Sequence, residues 1–390
     1  MKIVHIAPNA PYNEGWGYQD NLLPKYHARL GHDVTLIITN TTHCDGNIVE
    51  TDCETSYSPD GFRVVRRKNV MPHFLKLDVF FSKIHVYDIL EDVKPDFVFF
   101  HGLVSSTIFQ VTRYKRHVNL DMVIVQDNHL DYNIGFGKKM PLRQKLLVLK
   151  HRLVYAMNDK YISKVYGVTP WRKDYAIDVF GVPSKKADIL IMGADDDQID
   201  LQHRHEIREN LRKQYNVKDS DFLIVSGGKI DRRKKIDLLM RAVAGQSNTK
   251  LLVFGNVLDD IKDDFDQLVK ENENIIYIGW IDSAKVYDYF FAADLVFFPG
   301  QHSVLWEQAC ASKVPCVFER WEGMDHVNNG GNSDFVSPVT VDSLKAKIEE
   351  LKFTPKYFKM KSIAESEKTD IYLYSKIAEK SLECAKEICV

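Results

Sequence analysis

Residues 1–39 read MKIVHIAPNAPYNEGWGYQDNLLPKYHARLGHDVTLIIT, and their order decides the fold. A short apolar run, KIVHIAP, is followed by a glycine-containing loop, the helical pattern YQDNLLPKYHARLG and a second apolar run, DVTLIIT. Strand, loop, helix and strand in that succession predict a βα unit whose two strands run parallel in one sheet. The rhythm continues through PDFVFFH (95–101), DMVIVQD (121–127), YISKVYGVT (161–169) and ADILIMG (187–193). The acidic triplet Asp195-Asp196-Asp197 and the polar stretch QIDLQHRHE interrupt it. A second series then begins with DFLIVSG (221–227), KLLVFG (250–255), IIYIG (275–279), DLVFFPG (294–300) and VPCVF (314–318). The sequence therefore predicts an α/β protein of two Rossmann-like domains, each a parallel sheet with helices on both faces. Residues 1–195 form the first, residues 196–368 the second, and residues 369–390 a C-terminal helix that packs back on the first.

A length of 390 residues exceeds the size at which a single core stops growing, which agrees with two domains. Hydrophobic residues at 45%, charged residues at 27% and a formal charge of −2 give no overall bias toward nucleic acid. The six cysteines, Cys44, Cys53, Cys310, Cys316, Cys384 and Cys389, form no CxxC pair and read as thiols of a reducing compartment. No signal peptide is evident, and no apolar run reaches the roughly 18 residues of a membrane span. The expected location is the cytoplasm, with or without contact at the inner face of a membrane.

Open parallel sheets bind ligands beyond the carboxyl ends of their strands, at helix N-termini. Two such domains facing each other would line one central cleft, so the loops after strands carry the information. In the first, Asn9–Tyr18, glycines let the backbone approach a phosphate or sugar; the bland reading is a flexible turn. Asp20 stands where a dinucleotide fingerprint needs its third glycine, and the second strand ends in Thr39-Asn40-Thr41 without a ribose-binding acid. NAD is thereby disfavoured. His101, at the end of PDFVFF, can hydrogen-bond a sugar hydroxyl or transfer a proton, or simply cap and pack. Asp127 and His129 can orient each other, or cap their loop.

In the second series the basic run Lys229–Lys235 follows a strand and Gly227-Gly228. Cations in that position suit a pyrophosphate, although such a run is more often a solvated face. Next comes Pro299-Gly300-Gln301-His302-Ser303-Val304-Leu305-Trp306-Glu307. Ser303 can cap the helix that follows and leave the N–H groups of Val304 and Leu305 for phosphate oxygens. Glu307, one turn in, can accept two ribose hydroxyls, or serve in a salt bridge. The Asp195–Asp197 triplet is read as a polar hinge and not as a metal site, so no metal and no cofactor are expected.

Together these residues resemble family 4 of the glycosyltransferases, the group 1 glycosyl transferases, which have the GT-B architecture. Gly31-His32-Asp33-Val34 is similar to the family's G-H-x-V, and Gly17 to the glycine that approaches donor phosphate and acceptor. His101 matches the histidine beside the transferred sugar. GGKIDRRKKIDLLMRAV (227–243) resembles G-R-x(4)-K-G-x-x-x-L-L-x-A-F, with Lys229 in place of the arginine and Lys234 as the phosphate-binding lysine. IGWIDSAKVYDYFFAADLVFFPG (278–300) resembles the base-binding strand and helix, so backbone near Trp280 and Ile281 is expected at the base. The family has two glutamates eight positions apart; Glu307 matches the second, but Pro299 occupies the place of the first, which Gln301 or His302 can fill.

The resemblance implies transfer of a hexose-type sugar, with retention, from a nucleoside diphosphate sugar to a saccharide or lipid-linked acceptor in surface polysaccharide or glycoconjugate synthesis. Catalytic roles fall to His101, Lys229 and Lys234. Donor contacts fall to Gly17, Gly228, Trp280, Ile281, Gln301, His302, Ser303, Val304, Leu305 and Glu307, and the acceptor side to Trp16, Asp127 and His129. A silent interaction subunit and a sugar-nucleotide epimerase are the rival readings. Residues 138–164 add an amphipathic pattern with Leu142, Leu146, Leu149 and Leu153 on one face and Lys138, Lys139, Arg143, Lys145, Lys150, Arg152 and Lys160 on the other. A further basic cluster is Arg63, Arg66, Arg67 and Lys68, followed by MPHFLKLDVFFSKIHVY. The leucines can pack inward, or the helix can lie on an anionic membrane.

Overall fold

The computed structural model describes residues 1–9, 11–44, 47–70, 84–132 and 142–386. Ala10, most of MPHFLKLDVFFSKIHVY, Lys138, Lys139 and Cys389 lie outside the described residues, as does the side chain of Arg143. The chain divides into two compact units, Met1–Ile191 with Ile377–Val390, and Met192–Lys376. The return to the first unit thus falls at Ile377 and not at Thr369. Ala194 fixes it: its N–H donates to Tyr372 O, and its carbonyl accepts from Tyr374 N–H.

The first unit carries β1 (Lys2–Ala7), β2 (Asp33–Thr39), β3 (Thr41–Cys44), β4 (Asn47–Glu50), β5 (Thr55–Tyr57), β6 (Arg63–Arg67), β7 (Phe97–Phe100), β8 (Val123–Asn128), β9 (Lys164–Gly167) and β10 (Ala187–Ile189). Eight of these form one sheet in the order β10-β9-β8-β7-β1-β2-β6-β5. Its pairings are parallel except for β5 with β6. Its inner strands are mostly apolar on both faces, as suits strands covered by helices, and β7 is buried along its whole length. The order turns at β1, which pairs with β2 on one side and β7 on the other.

β3 to β6 have no counterpart in the strands expected from sequence, because they are short and polar and their alternation is weak. Arg63, Arg66 and Arg67 belong to β6 and are not a free basic patch. Arg63 pairs with Asp92 (2.9 Å), Arg67 pairs with Asp88, and the Arg66 guanidinium lies over the Tyr12 ring.

The second unit contains β11 (Phe222–Ile230), β12 (Thr249–Val257), β13 (Ile275–Tyr277), β14 (Leu295–Phe298), β15 (Cys316–Glu319) and β16 (Ser333–Val336). They form one sheet, parallel throughout, in the order β13-β12-β11-β14-β15-β16. This is the doubly wound order, which reverses direction between its first and fourth strands. The reversal lies between β11 and β14. Their pairing runs only through Ile224↔Leu295 and Val225↔Val296, whereas β11 continues beside β12 to Ile230. The carboxyl ends of β11 and β14 therefore part, and the sheet opens where ligands of such folds bind.

The helix Leu142–Asn158 packs through His151, Val154, Tyr155 and Asn158, which are buried. Its leucines face outward: Leu142, Leu146, Leu149 and Leu153 are 73%, 58%, 52% and 55% exposed. No helix among the described residues is long and apolar enough to cross a membrane.

Candidate functional site

The open end of the second sheet is built from the loops that follow β11 and β14. β11 extends through Lys229 and Ile230, so Lys229 is an exposed strand residue and not the start of a helix. A single 3₁₀ turn, Arg232–Lys234, then precedes the helix Ile236–Val243. Asp231 caps that turn: its carboxylate accepts from the Arg233 backbone N–H (3.0 Å) and from the Arg233 guanidinium. Lys235 takes the left-handed conformation and pairs with Glu319 (2.5 Å). With these neighbours committed, Lys234 is left pointing into the fold.

Its ammonium donates to the carbonyls of Gln301 (2.6 Å) and His302 (3.4 Å). Among the described residues it has no carboxylate partner within ion-pair distance. Burial pulls its pKa from 10.5 to about 8, against a weaker upward pull from Asp231. A part-buried ammonium whose hydrogen bonds go to neutral carbonyls keeps its charge available for an anion. The two loops are interlocked further by Gln301 N–H donating to Arg233 O (3.0 Å). A Cβ on Gly300 would stand 2.4 Å from the Arg233 and Lys234 backbone, so only glycine permits this approach. Gly228 holds φ +106°, and a side chain there would meet the Leu305 methyl at 2.9 Å.

The helix after β14 begins at Leu305, with Val304 at its cap position and no side-chain cap. Ser303 is therefore not the cap; its carbonyl accepts from Trp306 N–H (3.0 Å). Glu307 is fully buried, and its Oε1 accepts from His302 Nε2 and His326 Nε2, each at 2.8 Å. Burial pushes its carboxyl up, but the two imidazoles outweigh that and hold its pKa at about 2. His326 was not singled out in the sequence: it follows no strand motif and reaches Glu307 from a separate 3₁₀ turn, Asp325–Val327. Tyr372 braces that turn by donating its hydroxyl to His326 O (2.7 Å).

Among the described residues, His302, Glu307 and His326 form the group whose ligand atoms converge closely enough to hold a metal ion, within 4.8 Å. A metal-bound imidazole normally donates its other N–H to an oxygen, yet His326 Nδ1 is buried with no hydrogen-bond partner. The arrangement is that of a hydrogen-bonded triad. Glu307 Oε2 is also buried without a partner. Trp280, after β13, is 74% exposed, and Ile281 beside it is partly so. The Asp195–Asp197 triplet is occupied structurally: Asp195 accepts from Asp197 N–H and Asp196 from Ser375 N–H (3.1 Å).

In the first unit the loops after β1 and β7 flank the reversal at β1. Asn13 fixes the first loop by pairing with both backbone groups of His43 (2.9 and 2.8 Å), and Trp16 stacks on the His43 ring at 5.2 Å. Gly17, beside it, is exposed and has open space around its Cα. His101 is buried with both ring nitrogens engaged, Nδ1 by Asp127 Oδ2 (3.2 Å) and Nε2 by His5 Nδ1 (3.1 Å). Asp127 also accepts from Gly102 N–H (2.6 Å) and lies 3.4 Å from His129 Nε2. Burial raises the Asp127 carboxyl, but His129 and His101 together hold it well below the usual range.

Asp20, dismissed in the sequence as a broken glycine fingerprint, sits in the first turn of the helix Gln19–Arg29 within electrostatic range of His101, His129 and Asp127. Burial raises its pKa. Gln19 beside it is buried with neither amide heteroatom partnered. Both residues could have been found from one signal, polar side chains in the first turn after a strand-end loop.

Residues 207–365 match the family model described as glycosyl transferases group 1. An uncharacterized glycosyltransferase of Methanocaldococcus jannaschii is 23% identical over 208 residues, 50% of this chain and 52% of that one. The processive diacylglycerol alpha-glucosyltransferase of Acholeplasma laidlawii is 24% identical over 169 residues, 40% of this chain and 50% of that one. The chain spans about half the length of these curated relatives. The crystal structure of Anabaena HepE in complex with UDP superimposes with a TM-score of 0.68 at 14% identity, covering 99% of this chain and 100% of that one, which shows the shared fold.

Proposed function

We propose that this chain, whose residues 207–365 match the glycosyl transferases group 1 family model, moves a sugar from a nucleoside diphosphate sugar to a saccharide or lipid-linked acceptor. One observation carries the reading: Lys234 is a part-buried cation at the β11–β14 reversal, with no carboxylate in ion-pair range among the described residues, where a doubly wound sheet takes its ligand. A diphosphate would replace the two carbonyls as its partner, and Lys229 would add a second positive charge at the same strand end. Charge that develops on the departing diphosphate would be stabilised there without a metal. The base would lie against Trp280 and Ile281, the sugar near Gln301 and His302. Glu307 Oε2 is the free acceptor for a ribose hydroxyl, which reaches it once the Gln301–Ser303 loop shifts. In the first unit, Trp16, Asp127 and His129 would take the acceptor, beside His101 and Gly17. The reading includes retention of configuration, as the family pattern implies.

Incubating the protein with UDP-, GDP-, ADP- and CMP-linked sugars and lipid or saccharide acceptors tests this. Acceptor-dependent release of nucleotide is the expected result. Conversion of the donor without any acceptor would indicate an epimerase, and no turnover with any pair would indicate a silent subunit.

The acceptor side has its own support. The outward leucine face of Leu142–Asn158 continues in Met157, 66% exposed, and is accompanied by exposed Lys145, Arg152 and Lys160. Apolar residues flanked by cations suit the surface of an anionic bilayer, each cation contributing about 1 kcal/mol near it. This supports a lipid-linked acceptor in surface glycoconjugate synthesis at the inner face of a membrane. The protein is expected to co-sediment with anionic vesicles at low ionic strength and much less with zwitterionic ones. The combined change Leu146→Gln, Leu149→Gln and Leu153→Gln should lower the bound fraction about tenfold; binding unaltered by it would remove this helix from the account.

A further inference from the structure

His101 is one end of a chain of three imidazoles. His5 lies on β1 and His27 on the helix Gln19–Arg29, and both are fully buried. His101 Nε2 lies 3.1 Å from His5 Nδ1, and His5 Nε2 lies 2.9 Å from His27 Nδ1. His27 Nε2 lies 2.8 Å from the Ser381 hydroxyl and 3.3 Å from the Ala378 carbonyl, on the returning C-terminal segment. Ser381 in turn can donate to Ala378 O (2.8 Å). At the other end stands the Asp127 carboxylate.

Proton counting constrains this chain. Burial holds His5 well below the usual imidazole range and His27 at about 3, so each is neutral and carries one N–H. Four short gaps, from Asp127 to the Ser381–Ala378 end, each need one hydrogen, but three neutral imidazoles supply three. The fourth comes either from the Ser381 hydroxyl or from an additional proton held between His101 Nδ1 and Asp127. With Ser381 donating, all three rings carry hydrogen on Nδ1. With Ser381 turned to Ala378, His5 and His27 carry it on Nε2, His101 Nε2–H donates to His5, and the additional proton lies between His101 Nδ1 and Asp127. A mixed state would leave one gap with two hydrogens or with two facing lone pairs, a buried arrangement costly in either form.

We propose that His5 and His27 are positioning residues for His101: together with Ser381 they decide which of its nitrogens carries hydrogen and hold its ring against Asp127. The importance for transfer rests on the sugar-side reading of His101, but the chain itself is testable without any activity. Full-length protein labelled with ¹⁵N-histidine reports each imidazole tautomer directly by long-range nitrogen–proton correlation. The expected result is that His5 and His27 share one tautomer in the native protein. In Ser381→Ala, where His27 Nε2 faces only the Ala378 carbonyl, both must carry hydrogen on Nε2, and the fourth hydrogen must lie in the gap between His101 Nδ1 and Asp127. Opposite tautomers at His5 and His27 in the native protein would overturn the proposal, and that reading stands even where the variant does not fold. Nδ1–H at either ring in a folded Ser381→Ala protein would overturn it as well.

Discussion

Replacing Lys234 with methionine is expected to lower turnover by about 10²–10³-fold, the loss seen when one preorganised donor to a developing anion is removed. Methionine keeps the length and apolar stem of the side chain, so the interlock of Gln301 N–H with Arg233 O can persist. The charge is what disappears. A second consequence follows from the pKa of about 8. A diphosphate favours the ammonium form, so its binding raises that pKa and takes up a proton wherever the free lysine is partly neutral. Nucleotide affinity should therefore fall as pH rises above about 8. Calorimetric titration in buffers of differing ionisation heat should show proton uptake between about pH 8 and 9. The methionine variant should show neither effect; undiminished turnover and unchanged proton uptake in it would remove Lys234 from the site.

Changing Glu307 to Gln is expected to cost about 3 kcal/mol of folding stability at pH 7, on the scale of breaking a buried charged network. Oε1 accepts from two imidazoles at once; a glutamine that keeps its oxygen there removes the charge and puts its NH2 in the buried Oε2 place, which has no hydrogen-bond partner. The pH dependence has a definite sign. A carboxyl whose folded pKa is about 2 against an unfolded value of 4.5 stabilises the protein above pH 4.5. That stabilisation fades as pH falls from 4.5 toward 2. Urea unfolding at pH 7 and near pH 3 should thus show the variant converging on the native protein in acid. A difference that stays constant across this range would mean that Glu307 is not held ionised by His302 and His326.

The alternation of apolar runs and helical patterns was enough to read two parallel sheets, because buried strands of such sheets are apolar throughout and long helices separate them. β3 to β6 escaped because their residues pair through the backbone while alternating weakly or not at all, as in Thr41–Cys44 and Asn47–Glu50. Lys234, Gln301 and His302 were legible together since strand-end position places them, and the strand order determines that β11 and β14 are neighbours. Ser303 as a cap was not: the helix starts two residues later, and boundaries of this kind depend on local backbone geometry more than on residue type. His326 and the pair His5 and His27 were invisible for a different reason. They meet their partners across separations of 19, 96 and 22 residues, with no spacing pattern to announce it. The outward leucines of Leu142–Asn158 had the periodicity of a core face, and periodicity alone does not say whether the face is covered.

The central claim is that the open end of the second sheet binds a nucleoside diphosphate through Lys234. Thermal unfolding of the native protein and of Lys234→Met against UDP, GDP, ADP and CMP tests it most directly. One nucleoside diphosphate should raise the melting temperature of the native protein, in line with about 2.7 kcal/mol of stabilisation at a hundredfold excess over its dissociation constant, and should leave the variant little changed. An equal shift in both proteins, or no shift in the native protein with any nucleotide, would contradict the account.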